Sequence, residues 1–272
     1  MAGALKTNCE INADIGHITA QPARDDTNML RSTQIAQLNN NRWAVVLGNG
    51  YNSANGRPVL LIQYLDGAKE TLRLVATGAT TKANCSSNVL SGNSCANVTD
   101  NGLAAPRLVD INGDGRPDVA YAGDNQGNMW KFLLSSDDSS QWGVAQWGTQ
   151  AGTTSNLTTT GTPLYTAKGG TTGSPSTRSL AQPITAAPTV RSNERTKKVT
   201  EAGVQKTVSV GGLMVAFGTG RNVSMTDPDN NNVQSIYSVL DNTRYKLVGT
   251  NKDRVQVCAS TSDAECSGIV KT

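Results

Sequence analysis

Three similar strand–turn–strand units recur along the chain, and they restrict the possible fold more than any other feature. Each unit has a run of apolar residues, then a turn or loop containing glycine, and then a second apolar run. The units begin at Trp43, Asp118 and Leu213. Short apolar runs rich in β-branched residues and bounded by Gly, Asn and Asp are typical of strands, whereas helix signals are weak. The repeats therefore predict an all-β chain.

The spacing of the units predicts a modified β-propeller. The equivalent glycines Gly48, Gly123 and Gly218 lie 75 and 95 residues apart, whereas a plain propeller blade takes about 40–45 residues. Segments 103–109 and 184–190, which share Ala-Ala-Pro, precede the second and third units. Because radial repetition protects strand edges, we predict a partial propeller with at least three recognisable blades and long inserted loops. A β-sandwich is the alternative, since three repeats alone do not close a ring.

Two insertions are predicted between the units. One lies near Cys85 to Cys95. The other spans 142–179, is rich in Gly, Ser and Thr and has almost no core residues, so we expect a flexible surface insertion. A chain of 272 residues can bury a sizeable core. We therefore assign 1–272 to one propeller domain, which is expected to lack its upstream blades.

An acidic loop in the second unit is the most specific motif. Asp110, Asn112, Asp114 and Asp118 occupy relative positions 1, 3, 5 and 9, and the backbone carbonyl of Arg116 occupies position 7. This alternation of oxygen ligands in a short turning loop is what Ca²⁺ requires. Three carboxylates within nine residues would repel one another without a cation, so the loop should tighten when an ion binds. These five residues are the predicted metal site.

The residues after the loop exclude an EF-hand. An EF-hand loop ends with a bidentate glutamate at position 12 and continues into a helix, but position 12 here is Tyr121. Residues 118–124 have the pattern of a strand that ends in a turn. The loop is therefore predicted to join two strands as a calcium-binding hairpin. The alternative is an Asx-rich turn without an ion, because Asp, Asn and Gly also favour turns for local reasons.

Composition excludes some partners. Charged residues make up 17% of the chain and the net charge is +3, which does not suggest a nucleic-acid partner. The basic run 195–198 is short and lacks interleaved aromatic residues, so we expect a solvated loop there. No stretch approaches the roughly 20 apolar residues of a transmembrane helix. The chain is therefore predicted to have no transmembrane segment.

The cysteines favour an oxidising compartment. Cys85 and Cys95 bracket one polar loop, and Cys258 and Cys266 bracket another, so two local disulfides are predicted. Zinc is disfavoured because CxxC pairs are absent and the chain has a single histidine. Cys9 is left over. The first residues are not followed by the apolar stretch of a signal peptide. The chain is therefore either cytosolic or lacks its original N-terminus. The predicted disulfides favour the second alternative.

The acidic loop and the repeats together resemble the C-terminal propeller of the PilC/PilY family of type IV pilus tip proteins. The similarity covers about residues 9–242 and is carried by DINGDGRPDVAYAGDNQGNMWKF, WAVVLGNGYNS, LMVAFGTGR and QSIYSVLD. It implies that Asp110, Asn112, Asp114, Asp118 and the carbonyl of Arg116 bind calcium. Relative to family members, the chain is expected to lack the signal peptide, the large N-terminal adhesin region and the earliest propeller blades. A fragment or a shortened gene product is therefore expected.

The resemblance also implies a function. We expect a non-enzymatic calcium-binding protein at the pilus tip or cell surface, outer-membrane-associated or secreted. It would support pilus biogenesis, calcium-dependent control of extension and retraction, twitching motility and adhesion. The implied partners are major or minor pilins and host or abiotic surface ligands. Calcium is the expected cofactor.

Two other functions are compatible with a calcium-binding propeller. One is a quinoprotein-like dehydrogenase, because such propellers also use calcium and repeats containing Gly and Trp. Trp43 and Trp130 occupy repeat positions compatible with this idea, but both are expected to be packing residues. Motifs for nucleophilic, phosphate-binding and histidine-based metal sites are absent, and the only histidine, His17, is expected at a turn or surface. The other is a general adhesion scaffold with purely structural calcium, although no Arg-Gly-Asp occurs.

Overall fold

The secondary structure is almost entirely β. The computed structural model describes residues 13–19, 34–76, 89–90, 93–94, 101–145, 162–169, 180–223, 225, 227–229, 231–251 and 253–258. In this part of the chain, no helix is both long enough and apolar enough to span a bilayer. The predicted all-β class is confirmed.

The first repeat forms a four-stranded antiparallel sheet. Its strands lie side by side in chain order: β1 (Ile35–Gln37), β2 (Trp43–Gly48), β3 (Val59–Tyr64) and β4 (Thr71–Val75). The two runs of the predicted unit are β2 and β3, which pair with Val46 opposite Ile62. Two further strands, β5 (Val89–Leu90) and β6 (Asn93–Ser94), pair with each other in the region of the first insertion.

The second repeat forms a sheet with the same order. Its strands are β7 (Arg107–Val109), β8 (Val119–Gly123), β9 (Asn128–Leu133) and β10 (Gly143–Val144), with a 3₁₀ helix (Ser139–Gln141) before the last. Strand β11 (Tyr165–Thr166) also pairs with β9, and β12 (Lys168–Gly169) pairs with β13 (Leu180–Ala181).

The third repeat forms a three-stranded sheet that carries an inserted hairpin. The strands that follow in the chain are β14 (Thr189–Ser192), β15 (Thr196–Glu201), β16 (Val204–Ser209), β17 (Leu213–Gly218), β18 (Ile236–Asp241), β19 (Tyr245–Val248) and β20 (Arg254–Val257). The sheet has the order β14-β17-β18, whereas β15–β16 and β19–β20 are separate hairpins. A 3₁₀ helix (Asp227–Asp229) precedes β18.

The second sheet lies between the other two. Alternate residues of a strand point to opposite faces, and β9 follows this rule. Trp130 and Phe132 join a core cluster shared with the first sheet, whereas Met129 and Leu133 join a second cluster shared with the third sheet. All five residues of β8 are buried. The three predicted repeats are thus three packed sheets, and within the described residues they do not close into a ring.

The predicted insertion 142–179 is only partly described. Both of its described parts, 142–145 and 162–169, contribute to the core, because Trp142 is 5% exposed and Ala167 is fully buried. The expectation of almost no core residues is therefore wrong for these two parts, where β10 to β12 pack on the second sheet or beside it. The rest of the segment, 146–161 and 170–179, lies outside the described residues, so its predicted flexibility stays a prediction.

The basic run 195–198 is exposed as expected, but it is not a loop. It lies in the β15–β16 hairpin, which turns at Ala202 and Gly203 with φ angles of 50° and 80°. A two-residue turn with positive φ matches the twist of antiparallel strands. This local turn chemistry produces a hairpin where composition had indicated a loop.

The two tryptophans differ in their environments. Trp130 is fully buried, as expected of a packing residue, but Trp43 is 51% exposed. Along β2 the buried positions are Ala44, Val46 and Gly48. Because side chains alternate, Trp43 points to the opposite face, so the expectation that it packs in the core is wrong.

One of the five cysteines, Cys258, lies in the described part of the chain. Cys258 is buried after β20 and is disulfide-bonded. Cys9, Cys85, Cys95 and Cys266 lie outside the described residues. The pairings Cys85–Cys95 and Cys258–Cys266 therefore stay predictions.

Candidate metal centre

The acidic loop 110–118 connects β7 to β8, as the sequence predicts. The two strands are antiparallel, with Val109 opposite Val119, and the amide of Asp118 donates to the carbonyl of Val109 at 2.9 Å. Tyr121, at the position of the EF-hand glutamate, lies inside β8 and is fully buried. The loop is therefore the connection of a β-hairpin.

Two carboxylates shape the exposed part of the loop. Asp110 accepts hydrogen bonds at 2.7 Å from the amides of Gly113 and Gly115, one on each oxygen. Both glycines have positive φ, 81° and 88°, which glycine adopts at little cost. Asp114 accepts from the amide of Arg116 at 2.8 Å. A carboxylate oxygen has two lone pairs, so these bonds leave acceptor capacity for a cation.

The third carboxylate is buried. Asp118 is fully buried and accepts from the amide of Ile111 at 2.8 Å. Burial, together with the nearby charges of Asp110 and Asp114, raises the pKa of Asp118 to about 7. The loop thus combines two exposed carboxylates with one whose negative charge is poorly stabilised.

The orientation of the Asn112 carboxamide is set by two partners. Its nitrogen donates to the carbonyl of Asp253 at 2.9 Å, and its oxygen accepts from the amide of Asp114 at 3.2 Å. A carbonyl requires a donor and an amide requires an acceptor, so only this orientation satisfies both. The oxygen of Asn112, the atom that a cation would use, therefore faces the loop.

Asn39 supports the loop from the first sheet, and sequence reasoning missed it. The side chain is buried, and its nitrogen donates to the carbonyls of Pro117 and Leu134, both at 3.0 Å. The same nitrogen lies 3.5 Å from Oδ1 of Asp118. Only the run of three asparagines at 39–41 marks this position in the sequence, and such runs also occur in ordinary turns.

The residues of the loop suit a hard cation in chemical type. All four side-chain candidates offer oxygen, and Arg116 adds a backbone carbonyl. Among the described residues, however, no three His, Cys, Asp or Glu side chains are grouped closely enough to hold a metal ion. Mutual repulsion of three carboxylates opposes their convergence without a counter-charge. The loop has the right donors in a hydrogen-bonded turn, and calcium binding remains a prediction.

Comparison with known proteins identifies the family. Residues 27–262 match the family described as the PilY1 beta-propeller domain. The chain belongs to this family. The resemblance to PilC/PilY proteins is confirmed, and the family assigns the three sheets to a PilY1 β-propeller.

Individual PilY1 proteins are similar over most of the chain. A type IV pilus biogenesis factor PilY1 of Pseudomonas aeruginosa is 34% identical over 212 residues, which cover 76% of this chain and 15% of that protein. A PilY1 homolog of Xylella fastidiosa is 29% identical over 237 residues, covering 86% and 13%. The chain therefore spans less than one sixth of these relatives.

A solved structure has the same overall arrangement. The crystal structure of the Pseudomonas aeruginosa PilY1 C-terminal domain matches with a TM-score of 0.55 and 29% sequence identity. The match covers 86% of this chain and 39% of that one. The described sheets thus correspond to part of a larger PilY1 C-terminal domain.

Proposed function

We propose that this PilY1-type propeller binds calcium in loop 110–118 and acts in a type IV pilus system at the cell surface. It would support pilus biogenesis, calcium-dependent control of extension and retraction, and adhesion to surfaces. The observation that carries the proposal is an oxygen-rich hairpin loop with a buried carboxylate, located in a PilY1-family domain. The proposed role is non-enzymatic.

The loop residues have distinct proposed tasks. Asp110 and Asp114 would supply exposed carboxylate oxygens, Asp118 a buried one, Asn112 its amide oxygen and Arg116 its carbonyl. Bound calcium would neutralise three carboxylates that otherwise repel one another. Calcium would stabilise the ionised form of Asp118 most, because burial disfavours that form.

The proposed partners follow from the relatives. Pilus subunits are the first candidates, because the relatives are named as type IV pilus biogenesis factors. Host or abiotic surface ligands are proposed for adhesion. The chain matches only a small part of these relatives, so we assign pilus assembly to the intact protein. This chain would contribute the calcium-binding blades.

Titration calorimetry tests the site directly. We expect wild type to bind calcium with an affinity between micromolar and millimolar, and Asp114→Ala and Asp118→Ala to lose binding while keeping their β-structure by circular dichroism. Asp229→Ala, which removes an exposed carboxylate from the 3₁₀ helix before β18, is the control and should bind like wild type. Undiminished binding in both loop variants would refute the site.

A cellular experiment separates regulation from a purely structural use of calcium. The Asp118→Ala change is introduced into the full-length gene, and twitching, pilus number and protein level are measured together. Altered retraction at normal protein level supports the regulatory proposal. A parallel loss of protein and function supports the scaffold with structural calcium instead.

A further inference from the structure

We infer that the β19–β20 hairpin is a distant part of the metal centre, so that cation binding in loop 110–118 and docking of this hairpin onto the second sheet stabilise each other. The inference rests on the proposed calcium site. It adds residues 245–257 to a site that the motif alone confines to nine consecutive positions.

The path of the chain after the third sheet is the first observation. Only three residues separate β18 from β19, yet β19 pairs with β20 and not with β18. Polar contacts link the hairpin to the second repeat. The carbonyl of Asp253 accepts from Asn112 at 2.9 Å, and Arg254 pairs with Asp137 at 2.5 Å. One of these contacts is made by a predicted ligand.

Apolar packing holds the same hairpin beside the loop. Tyr245 and Val255 are each 3% exposed and belong to the core cluster that also contains Ile111 and Val119. Ile111 is a loop residue, and Val119 follows the last predicted ligand. A change in the shape of the loop therefore reaches the hairpin through a close-packed core, where displacements are not absorbed by free space.

A buried ion pair anchors the start of the segment. Lys131 of β9 donates to Asp241 at 2.7 Å and to Thr243 at 3.0 Å, and the hydroxyl of Tyr121 also donates to Asp241. Lys131 and Asp241 are both buried. Removing one partner of a buried pair leaves an uncompensated charge, so this end of the segment is fixed.

The side chain of Tyr245 lies in the core between the hairpin and the loop. Its hydroxyl is buried, and although Thr243 is near, it makes no well-formed hydrogen bond with any described residue. Tyr245 is 3% exposed and belongs to the same core cluster as Ile111 of the loop and Val119 of β8. The docked hairpin therefore buries this hydroxyl in the core that it shares with the loop.

Coupling of this kind is reciprocal. If calcium favours the docked hairpin, then the docked hairpin favours calcium by the same factor. Two measurements follow, one for each direction. Both use the whole chain, because the loop and the hairpin share one core.

The first measurement is amide hydrogen exchange with and without calcium. We expect calcium to slow exchange in 245–257 as well as in 110–118, by about fivefold or more, although β19 and β20 supply no ligand. Asp114→Ala should abolish both effects. Protection confined to 110–118 would overturn the inference.

The second measurement is the calcium affinity of two matched variants. Val255→Ala weakens packing of the hairpin, and Val46→Ala makes the same change at a fully buried site of the first sheet. We expect the Kd for calcium to rise about fivefold or more in Val255→Ala only. Equal values would overturn the coupling.

The two proposals fail in different ways. If wild type gives no calorimetric signal with calcium, the proposed metal site is wrong and the coupling falls with it. If wild type binds calcium but the hairpin gains no protection, only the coupling is wrong.

Discussion

The first and second sheets have the same strand order but differ in where their charged side chains lie. The first and second strands of the first sheet are joined by residues 38–42, where Arg42 pairs with Asp66 and Glu70 at a partly exposed rim. In the second sheet the equivalent connection is the acidic loop 110–118, and Lys131 lies fully buried in β9.

The difference follows from what each sheet packs against. The charged groups at the rim of the first sheet are partly exposed, whereas the second sheet packs against a neighbour on each face. An enclosed charge needs a specific counter-charge. Asp241 supplies it for Lys131, and we propose that a cation supplies it for Asp118.

The largest effect is expected at the buried ion pair. Asp241→Asn leaves Lys131 charged and enclosed, so the free energy of unfolding should fall by about 3–5 kcal/mol. Asp66→Asn removes a carboxylate from the exposed rim of the first sheet and should leave unfolding in urea close to wild type. Similar losses in both variants would show that burial of Lys131 does not increase the free-energy cost of removing its partner.

Calcium should stabilise the protein in a pH-dependent way. At a free concentration of 100 times Kd, binding at pH 8 should add about 2.7 kcal/mol to the free energy of unfolding. The pKa of Asp118 is raised to about 7, above its unfolded value of about 3.9. Without calcium, protonated Asp118 therefore makes its full contribution to the free energy of unfolding below about pH 4. This contribution is lost as the pH rises through about 7.

Protons and calcium compete for this carboxylate. The calcium-dependent rise in Tm should consequently be larger at pH 8 than at pH 6, measured at equal calcium concentration. A rise that is the same at both values, or larger at pH 6, would contradict the role of Asp118.

Asn39 tests the contact between the two sheets. Asn39→Ala removes the donor to Pro117 and Leu134 and leaves buried carbonyls unsatisfied, so a loss of about 1–3 kcal/mol is expected. Asn40→Ala is the neighbouring control, since Asn40 donates to the hydroxyl of Tyr64 in a partly exposed place. Chemical denaturation of both variants should rank Asn39→Ala as the more damaging change.

The smallest effect is expected at Tyr245. Tyr245→Phe removes a buried hydroxyl that has no well-formed partner, so stability without calcium should stay within about 0.5 kcal/mol of wild type or rise. Tyr64→Phe removes a hydroxyl that accepts from Asn40 and should lose about 0.5–1.5 kcal/mol. The opposite ranking in urea titrations would mean that Tyr245 has a partner in solution.

The sequence by itself determined the local features of this protein. Short apolar runs bounded by Gly, Asn and Asp predicted β2, β3, β8, β9, β17 and β18, because strand formation depends on neighbouring residues. The spacing of Asp, Asn and Gly predicted that loop 110–118 joins two strands, since turn geometry and glycine φ angles are local. The family resemblance also rested on these contiguous motifs.

Only the tertiary structure decided which distant groups meet. Asn39 reaches Pro117 across two sheets, Lys131 meets Asp241 across a core, and Asp253 lies beside Asn112. No local pattern marks these pairs, because burial depends on which sheet packs against which. For the same reason the sequence predicted the calcium loop only as nine consecutive residues. The tertiary structure adds Asn39 from the first sheet and Asp253 from the β19–β20 hairpin.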